Sequence, residues 1–358
     1  MELISYSQAN LPVIIAEATA ATQEAFVTFF ASSIENPNTR AAYLSNCRFF
    51  FQWANAHSLA LADIEPVHVA AYRELLNPRR DLKPAQLAKR KKTIDQQVAF
   101  LKASGVDKKT IGVFKRRFDK GLSAPTIKQH LSALKMLFDF MVERQCMAFN
   151  PAAGVKPPRH VYRTGKTPKL TQEQTRQFFD SIDGTRLIDY RDRALVAVMM
   201  FSFARISAAV GMRICDFHVN GHEAEFRLID KGGIEKSIPA HHLAARYVSE
   251  YIHQAGFDPE STDPLFRSFI NGKSELSDHP LNRKDAWKMI KRRARKAGLT
   301  ALLSNHSFRG TGVTNFLENG GDIHVAQELA GHADVRTTKL YDGRKHEASK
   351  SDIERIRF

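Results

Sequence analysis

The residue types able to do chemistry gather toward the C-terminus. His306-Ser307-Phe308-Arg309 is followed by Leu329-Ala330-Gly331-His332 and then by Tyr341, nine positions after His332. Upstream, Arg205-Ile206-Ser207 closes an apolar run, and Lys231 opens the segment Lys231-Gly232-Gly233. This set suits attack on a phosphodiester. Charge then builds on the non-bridging oxygens, and a site without a metal must meet it with fixed cations and donors. Arg205 and Arg309 offer planar, permanently charged forks that pair bidentately with phosphate oxygens, a geometry lysine lacks. His332 can add a neutral or cationic donor. Tyr341 can form a covalent phosphoester, but a phenol of pKa about 10 needs help losing its proton, and His306 is the candidate base. Nearby arginine and histidine charge favours phenolate in the same direction. The bond energy stays in the phosphotyrosine, so neither ATP nor any other cofactor is expected, and no residue is assigned to a metal.

These residues need elements to hold them. The run Ala194–Ala204, broken only by Ser202, is too short for a bilayer, which needs about 20 residues, and reads as part of a buried helix over Tyr190–Ala209. Glu225–Ile229 and Glu235–Ile238 alternate around Lys231-Gly232-Gly233, which predicts a small hairpin with Lys231 near its tip and Lys236 as a second lysine on the same hairpin. Thr171 is placed to cap a helix beginning at Leu170-Thr171-Gln172-Glu173, and another helix is expected over His241–Gln254.

Nearer the N-terminus, Thr39-Arg40-Ala41-Ala42-Tyr43 leads into Cys47, Phe50, Phe51 and Ala54 at three- and four-residue steps, a helical stripe. A second helix is expected over Pro66–Leu76. A third begins near Ser123, ahead of Pro125, with Ile127, Leu131, Leu134, Phe138 and Met141 on one face and Lys128, Gln129 and Lys135 on the other. The apolar face should be core; the polar face is available to a partner. Residues 150–169 carry Pro151, Pro157, Pro158 and Pro168 with Arg159, Arg163, Lys166 and Lys169, and read as an extended basic linker. The division expected is a helical first domain over 1–150, a linker over 151–169 and a second domain over 170–358.

Composition narrows the partner. The 358 residues have 53 Lys+Arg against 38 Asp+Glu, a formal charge of +15, which favours a polyanion. Residues 79–120 hold fourteen Lys/Arg and four Asp, a surplus of ten, and read as a basic insertion within the first domain, helical in part, with Val98, Leu101, Ile111, Val113 and Phe114 as packing residues. From charge alone, nucleic acid, acidic lipid and an acidic protein all remain open, as does a merely solvated face. The cysteines, Cys47, Cys146 and Cys215, have no zinc-ligand spacing and fit a reducing cytoplasm, and no membrane association is expected.

Taken together, Arg205, Lys231, His306, Arg309, His332 and Tyr341 resemble the signature of the tyrosine recombinase or phage integrase family: an Arg on a buried helix, a hairpin Lys, His-x-x-Arg, Gly-His, and a Tyr nine positions after the second His. The resemblance covers the second domain from about Thr171 onward. It extends more loosely to the first through Thr39-Arg40…Tyr43 and the helix bearing Lys128. It implies a mainly α, two-domain DNA clamp: a helical core-binding domain and an α-rich catalytic domain with a small β hairpin or sheet. It further implies cleavage and rejoining of duplex DNA through a 3′-phosphotyrosine, strand exchange by a homotetramer on two DNA sites, and Lys231 as the acid for the departing 5′ oxygen. The residues expected on DNA are Arg40, Lys128, Gln129, Lys135 and Arg159. One departure is Ala208, where the family commonly has an acidic residue three positions after the first arginine. The rival readings are a type IB topoisomerase, a DNA-binding regulator with weakened catalysis, toward which Ala208 points, and a metal-dependent nuclease, for which a carboxylate cluster is lacking. The apolar set Ile353, Ile356 and Phe358 is expected to dock on a neighbouring protomer or on its own domain.

Overall fold

The computed structural model describes residues 11–78, 82–103, 105–159, 167–230, 232–270, 274–300 and 302–343, without the side chains of Lys109, Thr110, Val113 and Arg117. Lys231 and the tail bearing Ile353, Ile356 and Phe358 therefore lie outside the described residues, as do Arg163 and Lys166. The chain forms two compact units, residues 1–161 and 162–358.

The described part of unit 1 is helical: α1 Val13–Ala16, α2 Ala20–Ser32, α3 Pro37–Asn55, α4 Pro66–Leu76, α5 Pro84–Ala103, α6 Lys108–Lys120 and α7 Ala124–Glu143. Helix α3 begins where Asn36 Oδ1 accepts from the main-chain N–H groups of Asn38 and Thr39, two of the donors a helix start leaves without a partner. The stripe Cys47, Phe50, Phe51 and Ala54 is buried, as is the apolar face of α7. The basic stretch is more than a surface appendage. Arg90, Ile94 and Leu101 of α5 and Ile111, Phe114 and Phe118 of α6 are buried, and Phe118 stacks on Phe49 with ring centroids 4.9 Å apart. Its two ends meet, because Leu122 N–H donates to Leu76 O at 2.7 Å. Basic side chains such as Lys89, Lys92 and Lys115 stay on the outside. At the start of the proline-bearing stretch, Ala152 and Val155 pack against this same core.

Unit 2 carries α8 Gln172–Asp180, α9 Leu187–Phe201, α10 Ile206–Val210, α11 His242–Ala255, α12 Arg283–Lys296, α13 Asn305–Glu318, α14 Ile323–Ala330 and α15 Val335–Lys339. Its strands are β1 Phe217–Asn220, β2 Glu223–Ile229, β3 Glu235–Pro239, β4 Arg267–Phe269 and β5 Leu276–Pro280. They form an antiparallel sheet β1-β2-β3 and an antiparallel pair β4-β5. The expected hairpin is β2-β3; β1 and the β4-β5 pair are additions to it. Helix α8 starts with the expected cap: Thr171 Oγ1 accepts from Gln174 N–H, and Gln174 Oε1 accepts from Thr171 N–H, both at 3.1 Å. Helix α9 runs through the core, with Ala194 to Met199 fully buried.

The single helix expected over Tyr190–Ala209 is in fact two. Ser202 Oγ donates to Val198 O at 2.6 Å, and Phe203 takes a left-handed conformation with φ 53°, which no L-residue helix continues through. Arg205 consequently does not close the buried helix; it is the N-cap residue of α10. The break lies where α13 crosses. A side chain at Gly312 would run into the Met200 carbonyl, so glycine there lets α13 seat against the end of α9.

Candidate active site

The last turn of α14 organises the site. A helix end leaves carbonyls without partners and carries a partial negative charge, so it attracts cations. Three side chains answer: Lys236 Nζ donates to Glu328 O at 2.9 Å, Arg309 Nη2 to Ala330 O at 2.5 Å, and Arg205 Nη2 to Gly331 O at 2.9 Å. Gly331 ends the helix in the left-handed conformation, φ 58°, and turns the chain so that His332 follows on the same side.

Each cation arrives from a different element. Arg309 comes from α13 and is 4% exposed; its Nη1 also donates to Phe203 O, in the break after α9. Arg205 comes from the start of α10, with 27% of its side chain exposed, and pairs through Nη1 with Asp230. Lys236 comes from β3. It lies opposite Leu228 in the register, and side chains paired across strands share a face, so it points inward with buried Leu228 and Ile238. From there Lys236 Nζ also reaches Asp230 Oδ2 at 3.4 Å.

His332 has both ring nitrogens engaged. Arg309 Nη2 lies 2.9 Å from Nε2 and can only donate, so Nε2 accepts and the proton sits on Nδ1, which donates to Thr338 Oγ1 at 2.9 Å. Burial, then the charges of Arg309, Arg205 and Lys236, push the His332 pKa down to about 4, with Asp230 acting in the opposite direction. The ring is neutral at pH 7. Burial and the Arg205 charge likewise bring Arg309 down to about 10, still protonated. His306 lies in the first turn of α13, exposed on its surface, and partial burial with the charges of Arg309 and Arg205 lowers its pKa. A neutral imidazole there can accept a proton.

Tyr341 follows α15. Its ring stacks on His332 with centroids 5.9 Å apart and planes 11° from parallel. Its main chain is pinned: the carbonyl accepts from Thr314 Oγ1 at 3.0 Å and from Lys169 Nζ at 3.2 Å. Gly310 makes room for the ring, since a β-carbon there would stand 3.1 Å from Tyr341 Cε1.

Arg205, His306, Arg309, His332 and Tyr341 are therefore brought to one place, while Lys231 falls outside the described residues. Of the residues expected on DNA, Lys128, Gln129 and Lys135 are exposed on α7, and Arg159 is exposed in the proline-bearing stretch beyond it. Arg40 is turned inward: its Nε and Nη2 both donate to Ile34 O, at 3.0 and 2.8 Å, closing the turn after α2. Sequence reasoning missed Asp230, Lys169, Thr314 and Thr338. Asp230 stands directly before Lys231, a position that an argument built on cations passes over.

A family model described as "Phage integrase family" matches residues 168–347. Tyrosine recombinase XerD of Staphylococcus haemolyticus is 28% identical over 264 residues, covering 74% of this chain and 85% of its own length. That of Corynebacterium glutamicum is 29% identical over 282 residues, covering 73% and 88%. The fold is similar to that of a lambda integrase dimer bound to a core site (TM-score 0.58, 15% identity, 92% of this chain and 97% of that one). It is also similar to XerH recombinase in a post-cleavage complex with a palindromic difH substrate (TM-score 0.52, 20% identity, 87% and 94%). The matched family region spans half of the chain and includes the α14 end, both arginines and the tyrosine, and the chain therefore belongs to the phage integrase family, the tyrosine recombinases.

Proposed function

We propose that this recombinase cleaves duplex DNA by attack of Tyr341 Oη on a backbone phosphorus, forming a 3′-phosphotyrosine as the bond to the 5′ oxygen breaks. His306 takes the phenol proton. Lys231 supplies a proton to the departing 5′ oxygen, and reversal of the same steps with a 5′ hydroxyl from another strand rejoins the backbone. Arg205, the more open fork, meets the non-bridging oxygens; Arg309 with His332 on its Nη2 supports the same charge from beneath. The observation that carries this reading is the convergence of three cations on one helix end beside a tyrosine whose main chain is fixed.

Lys236 is assigned to holding the hairpin against α14, because Asp230 and Glu328 already engage its ammonium. The first unit grips the duplex through phosphate contacts from Lys128, Gln129 and Lys135. Four protomers act on two sites in the cytoplasm to integrate, excise or resolve DNA.

The test is a suicide substrate whose cleaved 5′ end is lost. Tyr341→Phe should bind it like the native protein and give no covalent adduct. An adduct persisting in that variant would remove Tyr341 as nucleophile. A 5′-bridging phosphorothiolate tests the acid, since sulfur leaves without protonation. Lys231→Ala should cleave this substrate far better than ordinary DNA; rescue of Lys236→Ala instead would exchange the roles of the two lysines.

A further inference from the structure

Asp230 is a carboxylate set among cations. It directly follows β2, and a tight turn fixes its main chain: its N–H donates to Ile234 O at 2.8 Å, and Gly233 N–H donates to its carbonyl at 3.1 Å. Its side chain, 13% exposed, takes Arg205 Nη1 and faces Lys236 Nζ at 3.4 Å. The other arm of the Arg205 fork is held by Gly331 O. The guanidinium is thus fixed at both ends, by the hairpin on one side and by α14 on the other. A guanidinium has five N–H bonds, so two anchors leave donors available for an incoming anion. Ala208, three residues after Arg205, is buried and has no polar side chain to offer this arginine.

We propose that Asp230 is a positioning residue for Arg205: it sets the plane of the guanidinium so that the remaining N–H groups meet the scissile phosphate. This rests on the proposed role of Arg205. The physical need is plain, because Arg205, Lys236 and Arg309 would otherwise repel one another around a single helix end. Asp230 opposes the downward push that those charges exert on His332 and on Arg309. A carboxylate at the end of β2 also ties Arg205, at the start of α10, to the β2-β3 hairpin.

Two measurements decide it. Single-turnover adduct formation on the suicide substrate is compared among native protein, Asp230→Asn, Arg205→Lys and the double variant, at DNA concentrations that saturate binding. A charge-assisted hydrogen bond implies a slowing of about 10- to 100-fold for Asp230→Asn. If Asp230 acts through Arg205, the double variant should be no slower than Arg205→Lys, within about threefold. An Asp230→Asn rate equal to or above native would show a carboxylate that obstructs the arginine, and multiplying losses would show independent action; either overturns the proposal. The second readout needs no catalysis. Guanidinium N–H signals of DNA-free, ¹⁵N-arginine-labelled protein, with Arg205 identified by its loss in Arg205→Lys, should be resolved in the native protein and averaged in Asp230→Asn. Unchanged signals overturn the anchoring. If the native protein forms no adduct while the signals respond, the proposed function fails and the anchoring stands.

Discussion

Arg90 in the first unit and Arg309 in the second are equally buried, each 4% exposed, and both donate to main-chain carbonyls. Arg90 Nη1 reaches Asn77 O at 2.5 Å and its Nη2 reaches Phe118 O, where α5 and α6 close on the end of α4. Arg309 joins Phe203 O to Ala330 O in the same manner. The neighbours differ. Arg90 lies within an aromatic core, whereas Arg309 shares its surroundings with Arg205, His332 and Tyr341. A buried, carbonyl-bound arginine is thus a staple in either unit. What distinguishes the site is that burial is joined by a crowding of like charge, and the two together lower Arg309 and His332.

The comparison breaks most sharply at Arg309. Arg309→Lys keeps a charge but cannot bridge two carbonyls and an imidazole, and adduct formation should fall by about 10²–10³-fold, the loss typical of one donor to a developing oxyanion. Arg90→Met should do the reverse. It leaves carbonyls of Asn77 and Phe118 without this donor at about 1–3 kcal/mol each, so the melting temperature should fall by several degrees while the adduct rate of the folded fraction stays near native. A catalytic loss in Arg90→Met larger than that in Arg309→Lys would invert the assignment.

Burial and crowding together predict a pH response. His332 has an ordinary pKa of about 6.5 and is held near 4 in the fold, so between those values the unfolded chain binds more protons. Its contribution to stability is complete above about pH 6.5 and declines as the pH falls toward 4. Melting curves should show this slope in the native protein and a shallower one in His332→Asn. DNA binding should raise the His332 midpoint, because phosphate offsets the arginine charges.

Two smaller effects sharpen the contrast. Cleavage should survive EDTA, since the proposed charge stabilisation comes from side chains; strict dependence on added magnesium or manganese would favour a nuclease. On the outer face of α5 and α6, Lys89→Gln, Lys92→Gln and Lys115→Gln should each make the salt dependence of binding shallower by roughly 0.9 in the log–log slope if that lysine contacts a phosphate. Substitution is the right tool there, because removing residues 79–120 would strip Ile94, Phe114 and Phe118 from the core.

Much of this was legible in the sequence because it is local. The stripe of α3, the Thr171 cap and the β2-β3 alternation each depend on neighbours within a few residues. The order of Arg205, His306, Arg309, His332 and Tyr341 was legible too, since their chemistry restricts residue type. Contacts between distant segments were not. The break between α9 and α10 lies at the close approach of Gly312, and Arg40, expected on DNA, turns to Ile34 O. Asp230 reads as a turn aspartate until the fold sets it against Arg205.

The clamp on Tyr341 has a mechanical consequence. Thr314 and Lys169 hold a main-chain oxygen, so the grip is indifferent to which side chain that residue carries. At about 1 kcal/mol net for each hydrogen bond, it is a latch more than a weld, and its release should be within reach of thermal motion. Lys169 lies in the second unit, three residues ahead of the first residue of helix α8. A displacement of the chain at Lys169 is therefore passed to the backbone of Tyr341 through one ammonium group.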